Sequence, residues 1–409
     1  MTTPVMWTSL HIPVPDLSDV ETLSAKTKQR TGAVHEWLRR SGSLPLSLSF
    51  FGAQIEPQSG TEQSNSGLLF KEVLRHSKRW KRMRFEVSGD LVQSILTLSQ
   101  DQVPTLESLT IIKHPNSHRL LPTQSFPPSL HRLSLIGLAD IISTQHLGTL
   151  QLTHLTIRHR SRQGPEPLRI LKECSQLTSC DLSLPCGTTD ERLVVTLPYL
   201  QELYFNEMTN SADFLTHLVL PVLRRLKFKT SLAGTNDSLL AFLSHLFKLG
   251  TKLKCLDLDS GSFLSVVIIK CLDQTPYLSR LVLTSIDQAT SWFVWTPAAV
   301  NTSIFDKMTP DNGQNGPCWL SHLEEFECDV VDTFSHQSLL TAVRARAGVV
   351  GAVRKLDYLE LNIKCDVEQD FIVGFQTLAT QGLLRLQLNF ISGRVMRQTC
   401  SDFSPWSGI

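Results

Sequence analysis

The sequence predicts a mixed α/β fold built from stacked repeats, and three observations lead to this prediction. A short apolar pattern, Leu-x-x-Leu-x-Leu, returns along nearly the whole chain. Most successive copies are separated by similar distances. Several segments between the copies carry apolar residues at helical spacing. Together these features indicate short parallel strands that alternate with helices or loops.

The repeated pattern has a physical reason. Its fourth and sixth positions point to one face of a strand, because strand side chains alternate with a period of two, and its first position turns inward just before the strand. One such strand cannot bury its apolar side alone, so many strands must stack. Weaker copies cover residues 7–12, 44–50 and 80–85. The clearest copies begin at Leu106, Leu130, Leu152, Leu177, Leu200, Leu223, Leu253, Leu278, Leu323, Leu356 and Leu383.

The spacing of the copies specifies the fold class further. From Leu106 onward the starts are separated by 24, 22, 25, 23, 23, 30, 25, 45, 33 and 27 residues. Most of these values lie near the about 20 to 29 residues that are typical of leucine-rich repeats. We therefore expect an irregular leucine-rich-repeat solenoid, with a curved parallel sheet on its concave side and helices and loops on its convex side. The turns should be uneven, because the ninth position carries no regular Asn or Cys.

Helical spacing between the strand patterns predicts the convex elements in chain order. The link 114–128 is rich in proline and too broken for a helix. The long gap 278–323 is expected to project from the array. Its Trp292, Phe293 and Trp295 could anchor a partner or form a local satellite core, and both interpretations stay open. The predicted helices cover residues 17–40, 238–249, 265–272, 336–347 and 368–379.

Composition and motifs argue against several classes of function. Lys and Arg number 39 and Asp and Glu number 38, so no overall charge attracts nucleic acid or an anionic membrane. The nine cysteines form no Cys-x-x-Cys pair. We interpret them as reduced thiols, and Cys180 as a small buried apolar residue at a repeat position. Nothing in the sequence indicates a metal or cofactor site, and no catalytic motif occurs, so we predict a protein that is not an enzyme.

The sequence contains neither of two features that would direct the protein to secretion or to a membrane. The first residues contain no basic stretch followed by an apolar one, as a secretory signal would. No segment approaches the about 18 apolar residues of a membrane-spanning helix. We therefore expect a cytoplasmic or nuclear protein that has no membrane partner.

The positions between the repeat leucines predict a charged concave surface. They carry mostly basic residues early in the array, including Arg82, Arg84, Arg132, His154 and Arg158. We hypothesise a bipolar surface, with an acidic C-terminal half, that orients a charged protein partner. A merely solvated sheet face is an equal alternative. The candidate partner-binding residues are Arg225, Lys227, Lys229, Asp257, Asp259, Glu325, Glu327, Asp329 and Glu360.

The basic run 75–84, bounded by Arg75 and Arg84, is the best candidate for nucleic-acid binding. Cationic side chains beside Trp80 could hold phosphate and stack a base. The alternative is structural, because Trp80, Met83 and Phe85 fall on the buried positions of a repeat. The structural alternative is preferred, and nucleic acid is not the expected partner.

Three motifs near the N-terminus resemble a large fungal F-box family. The first is Met6-Trp7-Thr8-Ser9-Leu10, which is similar to the end of the F-box in that family. The second runs from Trp37-Leu38-Arg39-Arg40-Ser41-Gly42 to Pro45-Leu46-Ser47-Leu48. The third is His76-Ser77-Lys78-Arg79-Trp80-Lys81-Arg82-Met83. The three occur in the family's order, and the resemblance covers most of the chain.

The resemblance implies a non-catalytic protein-interaction module similar to the substrate-recognition part of an F-box protein. A substrate receptor of an SCF-type ubiquitin ligase is the alternative. Only six residues precede Trp7, so docking of a Skp-type adaptor is not expected from this chain alone. The expected organisation is a remnant of the F-box end with a linking helix and first strand (1–50), the solenoid (51–391), and a loose tail or imperfect cap (392–409).

Overall fold

A computed structural model describes the chain in segments that divide into two compact units. We call Met1–Arg224 with Lys248–Thr251 the N-terminal unit, and Arg225–Phe247 with Lys252–Ile409 the C-terminal unit. The described residues are 4–13, 20–51, 65–87, 89–113, 126–138, 147, 150–158, 167–183, 193–207, 217–230, 236–248, 252–259, 265–284, 304–305, 308–309, 320–330, 335–347, 354–363, 365, 367 and 369–390.

Parallel strands form the sheet of the N-terminal unit. Each strand pairs with the next in the order β1-β2-β3-β4-β5-β6-β7-β9, and β8 pairs separately with β10. Its helices are α1 (Val20–Arg40), α2 (Asn65–Leu74), α3 (Gly89–Leu96) and α4 (Pro167–Glu173). Its strands are β1 (Ser9–Pro13), β2 (Leu46–Phe51), β3 (Trp80–Val87), β4 (Ser108–Lys113), β5 (Arg132–Ile136), β6 (His154–Arg158), β7 (Ser179–Ser183), β8 (Val195–Thr196), β9 (Glu202–Glu207) and β10 (Leu218–Val219).

The C-terminal unit repeats this architecture of parallel strands joined by helices. Its strands pair in parallel in the order β11-β12-β13-β14-β15-β16. The strands are β11 (Arg225–Thr230), β12 (Cys255–Asp259), β13 (Arg280–Thr284), β14 (Glu325–Val330), β15 (Tyr358–Ile363) and β16 (Arg385–Phe390). The helices are α5 (Asn236–Lys248), α6 (Ser265–Asp273), α7 (His336–Ala347) and α8 (Gln369–Thr380).

The register of the strands places the pattern leucines in continuous buried rows. In the N-terminal unit, Leu109 pairs with Leu133, Leu133 with Leu155, and Leu155 with Cys180. All four are buried, and so is the first leucine of every clear copy in this unit. Burying one leucine side chain stabilises the fold by roughly 1.5–3 kcal/mol, so each strand depends on its neighbours for most of its stability. The predicted mixed α/β fold with a parallel sheet is confirmed.

Hydroxyl side chains link consecutive strand segments, which the sequence analysis did not predict. The Oγ1 of Thr178 donates to the carbonyl of Thr153 at 3.0 Å, and the Oγ of Ser129 donates to the carbonyl of Leu106 at 2.9 Å. Thr105, Thr153 and Ser279 make the same kind of bond to the preceding segment. Each of these residues stands next to the first leucine of a pattern copy. They add a side-chain donor to backbone carbonyls at the entrance of the strands, some of which also accept from backbone N–H groups, and the leucine pattern gives no signal for these bonds.

The helix predictions are confirmed to within a few residues. The predicted helix 336–347 matches α7, and the predicted helix 238–249 lies close to α5. The helix α1 ends at Arg40, and Gly42 follows with a φ of 59°. That left-handed conformation suits glycine and stops the helix. The whole of the predicted tail, nearly all of the link 114–128, and Trp292, Phe293 and Trp295 lie outside the described residues.

The hydroxyl links generate a prediction about stability. Replacing Thr178→Ala leaves the Thr153 carbonyl without its side-chain donor, and we expect the free energy of unfolding to fall by about 1 kcal/mol. Thr178→Ser keeps the hydroxyl and is the matched control, so it should retain most of the stability. Urea unfolding followed by circular dichroism measures both. Equal loss in the two variants would show that the methyl group of Thr178, and not its hydroxyl, stabilises this turn.

Candidate functional site

The candidate site is the polar side of the parallel sheet, opposite the leucine rows. Because strand side chains alternate, the residues between the leucines share one face. We call the alternate residues of β2–β9 the polar face of the N-terminal unit, and those of β11–β16 the polar face of the C-terminal unit. In the C-terminal unit, two rows cross the strands: Arg225, Cys255, Arg280, Glu325, Tyr358 and Arg385, and Lys227, Asp257, Val282, Glu327, Glu360 and Gln387.

Opposite charges on neighbouring strands pair across the polar face of the C-terminal unit. The Nζ of Lys227 contacts a carboxylate oxygen of Asp257. The guanidinium of Arg280 lies 3.0 Å from Glu325 and 3.4 Å from Glu327. Much of the acidic charge that the sequence places here is therefore balanced within the same face, which weakens the long-range field that a partner would meet.

A hydrogen-bond network around Glu360 joins the polar residues of β15 and β16, the last two strands of this face. Glu360 accepts from the hydroxyl of Tyr358 at 2.9 Å and from the amide of Asn389 at 2.9 Å. The Gln387 amide donates to the same carboxylate at 3.3 Å. Burial, together with the bond to Glu360, raises the pKa of Tyr358 to about 12, so the phenol stays protonated and holds the carboxylate in place.

The expectation of an open acidic surface is wrong at three of the candidate residues. Asp257, Asp259 and Asp329 are buried, with exposures of 8%, 3% and 2%. Aspartate is the shortest acidic side chain, so longer neighbours can cover it. Lys227 pairs with Asp257, and the Asn362 amide donates to Asp329 at 3.1 Å. Asp257 and Asp329 therefore act as structural acceptors, and none of the three buried carboxylates offers its charge to solvent.

The other candidate residues remain accessible to different degrees. Arg225 is exposed, whereas Lys227, Lys229, Glu325, Glu327 and Glu360 are half-buried. Only part of the predicted acidic half therefore faces solvent. Sequence reasoning missed Arg280 as a neutralising cation and missed Tyr358, Gln387 and Asn389 as partners of Glu360. Their positions in the pattern were visible, but the pairing partner of each depended on strand register.

The polar face of the N-terminal unit has a different charge balance. Arg158 pairs with Asp181 at 2.6 Å. Arg82, Arg84 and Arg132 are exposed, and none of them has an ion-pair partner among the residues that the structure describes. Short hydroxyl side chains stand next to these arginines in the strand register: Ser108 separates Arg82 from Arg132, and Thr110 separates Arg84 from Ser134. A cavity of about 620 Å³ lies where these strands begin, lined in part by Arg82, Ser108 and Arg132.

The basic run 75–84 does not offer a base-stacking site. Trp80 is fully buried, and its ring nitrogen donates to the carbonyl of Val73 at 3.3 Å. Met83 and Phe85 are buried as well, as the repeat pattern predicted. A nucleic-acid base therefore cannot reach the indole that the alternative required.

The motif residues near the N-terminus form one structural cluster. The rings of Trp7 and Trp37 meet edge to face with centroids 4.5 Å apart, and the Arg40 guanidinium lies 4.8 Å above the Trp7 ring. Arg79 donates to the carbonyl of Leu44 at 3.0 Å and to the hydroxyl of Ser41. These contacts join the start of the chain and the end of α1 to the entrance of β3. Their visible role is to hold the first strands together.

Two cysteines of the N-terminal unit are poorly suited to act as nucleophiles. Cys174 and Cys180 are buried free thiols, and burial raises the pKa of Cys174 to about 12, so its thiolate is scarce at neutral pH. Within the described segments, no group of three or more His, Cys, Asp or Glu side chains is placed to hold a metal ion. No helix in those segments has both the length and the apolar character needed to cross a membrane.

Comparison with known proteins found no match to any family description and no similar protein among those with curated functions.

The neighbouring carboxylates of Glu327 on β14 and Glu360 on β15 generate a prediction about how the stability of the protein depends on pH. Burial and the neighbouring Glu360 raise the pKa of Glu327, and Asp257 adds to this, although Arg280 opposes it. A carboxyl whose pKa is raised on folding costs stability once the pH exceeds its unfolded value, and the cost grows until the pH passes the folded value. Glu327→Gln should therefore be more stable than the native chain at pH 7, and the difference should shrink towards pH 4.

Thermal unfolding at the two pH values measures this effect. Glu325→Gln removes the same charge from the same strand and from the same Arg280 partner, so it is the matched control. It loses an ion pair at 3.0 Å and should not gain stability. A native chain that is more stable than Glu327→Gln at neutral pH would show that the Arg280 contact outweighs burial and repulsion.

Proposed function

We propose that this chain is an irregular leucine-rich-repeat solenoid that binds a protein partner through the polar side of its sheet. In this proposal it is a non-catalytic interaction module, similar to the substrate-recognition part of an F-box protein. The apolar side of each strand is used for stacking, and the polar side presents charged residues from many strands at once. Such a surface gives a partner several contacts at fixed spacing, which favours specific binding.

One observation carries the proposal: within each unit, exposed arginines of different strands stand at the same register position. Arg82 and Arg132 are exposed and occupy equivalent positions in the N-terminal unit, two strands apart. Arg225 and Arg385 are exposed at equivalent positions in the C-terminal unit. Rigid strands hold these side chains without the entropy cost of ordering a loop. Strand register produces the alignment, and the exposed charge at these aligned positions is what supports binding of a partner.

The resemblance to the F-box family supports the same kind of role. The residues that carry it, among them Trp7, Trp37 and Arg79, pack together and fix the first strands of the array. That packing is suited to a chain whose strands must keep their register. Ubiquitin-ligase membership rests on the sequence resemblance alone and is not part of the proposed function.

Site-specific photocrosslinking tests the proposal. The photoreactive residue p-benzoylphenylalanine is placed at Ser134 or Gln387 on the polar faces, or at Lys172 or Lys270 on the exposed sides of α4 and α6. The full chain is irradiated in an extract of its own cells. We expect discrete protein adducts from Ser134 or Gln387, because these positions face the partner, and none from the helical positions.

Two crosslinking results would contradict the proposal. Adducts that form only from Lys172 and Lys270 would place the partner on the helical side of the fold. Adducts of the same pattern from all four positions would indicate non-specific association, and they too would contradict a dedicated binding face. Circular dichroism of each substituted chain shows that the comparison is made between folded proteins.

A further inference from the structure

The polar face of the N-terminal unit carries positive charge that the described part of the chain does not neutralise. Two nearby cations of this unit have acidic neighbours: Lys81 lies 3.3 Å from Glu107, and Arg158 lies 2.6 Å from Asp181. Arg82, Arg84 and Arg132 have no such neighbour among the described residues, and all three are exposed. Their guanidinium groups are therefore open to an acid supplied from outside.

The strand register fixes the spacing of these three arginines. Arg82 and Arg84 are two residues apart on β3, so they point to the same side about 7 Å apart. Arg132 is in register with Arg82 across Ser108 of β4, which puts the two about 10 Å apart. The intervening Ser108 and Thr110 of β4 are shorter than the arginines and carry hydroxyl groups, and Ser108 lines the cavity between Arg82 and Arg132.

The cavity at the strand entrances is continuous with this arrangement. Arg82, Ser108 and Arg132 line it together with the neutral polar residues Gln151 and Thr153. Glu107 also lines it, but this carboxylate is engaged by Lys81. The walls thus offer hydrogen-bond donors and positive charge, which suits a negatively charged polar group and not an apolar side chain.

The geometry points to one kind of occupant: we infer that this face binds an extended, carboxylate-rich segment of the protein partner. Acidic side chains at alternate positions of an extended peptide are also about 7 Å apart, so they match Arg82 and Arg84. The planar guanidinium binds a carboxylate through two parallel hydrogen bonds, which lysine cannot do. The inference deepens the proposed function, since it names the chemistry of the partner that the polar face would take.

A nucleic-acid strand fits this face less well. Single-stranded nucleic acid is held by aromatic rings on which bases stack, together with basic residues. The aromatic residues of β3 are Trp80 and Phe85, and both are buried beneath the sheet. Ser108 and Thr110, which lie beside the arginines on β4, donate hydrogen bonds but provide no stacking surface, and the rings nearest to Arg132 are the small imidazoles of His131 and His154.

Fluorescence anisotropy with defined probes tests the inference. The probe is a labelled peptide of alternating glutamate and serine, and the same peptide with glutamine in place of glutamate reports charge-independent binding. We expect the full native chain to bind the glutamate peptide, to ignore the glutamine peptide, and to lose affinity as salt is raised. The combined change Arg82→Glu, Arg84→Glu and Arg132→Glu should weaken binding by about tenfold or more.

Two matched variants separate local contact from overall charge. Lys28→Glu, Lys71→Glu and Lys172→Glu change the net charge equally at exposed positions of α1, α2 and α4, and should leave binding nearly unchanged. Replacing the three arginines by lysine keeps the charge but removes the paired hydrogen bonds, so binding should weaken by an intermediate factor. Because all six positions are exposed, circular dichroism should show the same fold in each variant.

Three outcomes would overturn the inference. They are equal loss in the arginine and helical variants, no binding of the glutamate peptide at low salt, or tighter arginine-dependent binding of a labelled oligothymidine. These outcomes are independent of the crosslinking experiment, so failure of the inference can be distinguished from failure of the proposed function. Adducts from Ser134 or Gln387 alongside a failed peptide assay would leave the proposed protein-binding function intact and remove only the acidic partner.

Discussion

Each short strand of this protein has one side that must be covered by its neighbours. A strand of five or six residues buries its leucines only when a neighbouring parallel strand pairs with it in register. The row of paired residues from Leu109 to Cys180 shows this arrangement. Because side chains alternate along a strand with a period of two, the position of the leucines also decides which residues lie on the opposite side. Polar residues between the leucines fall in rows of their own, so the surface available to a partner follows from the packing of the core.

The two polar faces use their charges differently. In the C-terminal unit, the buried Asp257 and Asp329 are bound by Lys227 and Asn362, and Arg280 pairs with the half-buried Glu325 and Glu327. Removing a carboxylate from water without a partner is costly, and these contacts offset that cost. In the N-terminal unit, the exposed arginines of β3 and β5 keep their charge available. Among the described residues, the N-terminal unit therefore presents more unpaired charge to a partner at these arginines than the C-terminal unit does at its candidate acids.

The sequence was most informative where one physical rule acts alone. Leucine spacing predicted the strands, and helical spacing predicted α5 and α7, because both depend on which side of an element is apolar. It was least informative where a side chain has several possible neighbours. The burial of Asp329, the bonds to Glu360 and the hydroxyl of Thr178 each depend on strand register and on the lengths of neighbouring side chains. Strand register and the neighbouring side chains cannot be predicted from the sequence of a single segment.

The account depends on alternation between a covered and an open side along each strand, and cysteine labelling along β5 tests it directly. Single cysteines are placed in turn at Arg132, Leu133, Ser134 and Leu135, and the rate of thiol modification is read by mass spectrometry on the peptide that contains β5. We expect fast modification at Arg132 and Ser134 and slow modification at Leu133 and Leu135, which are buried. Equal rates at all four positions, or fast modification at the two leucine positions, would contradict the arrangement.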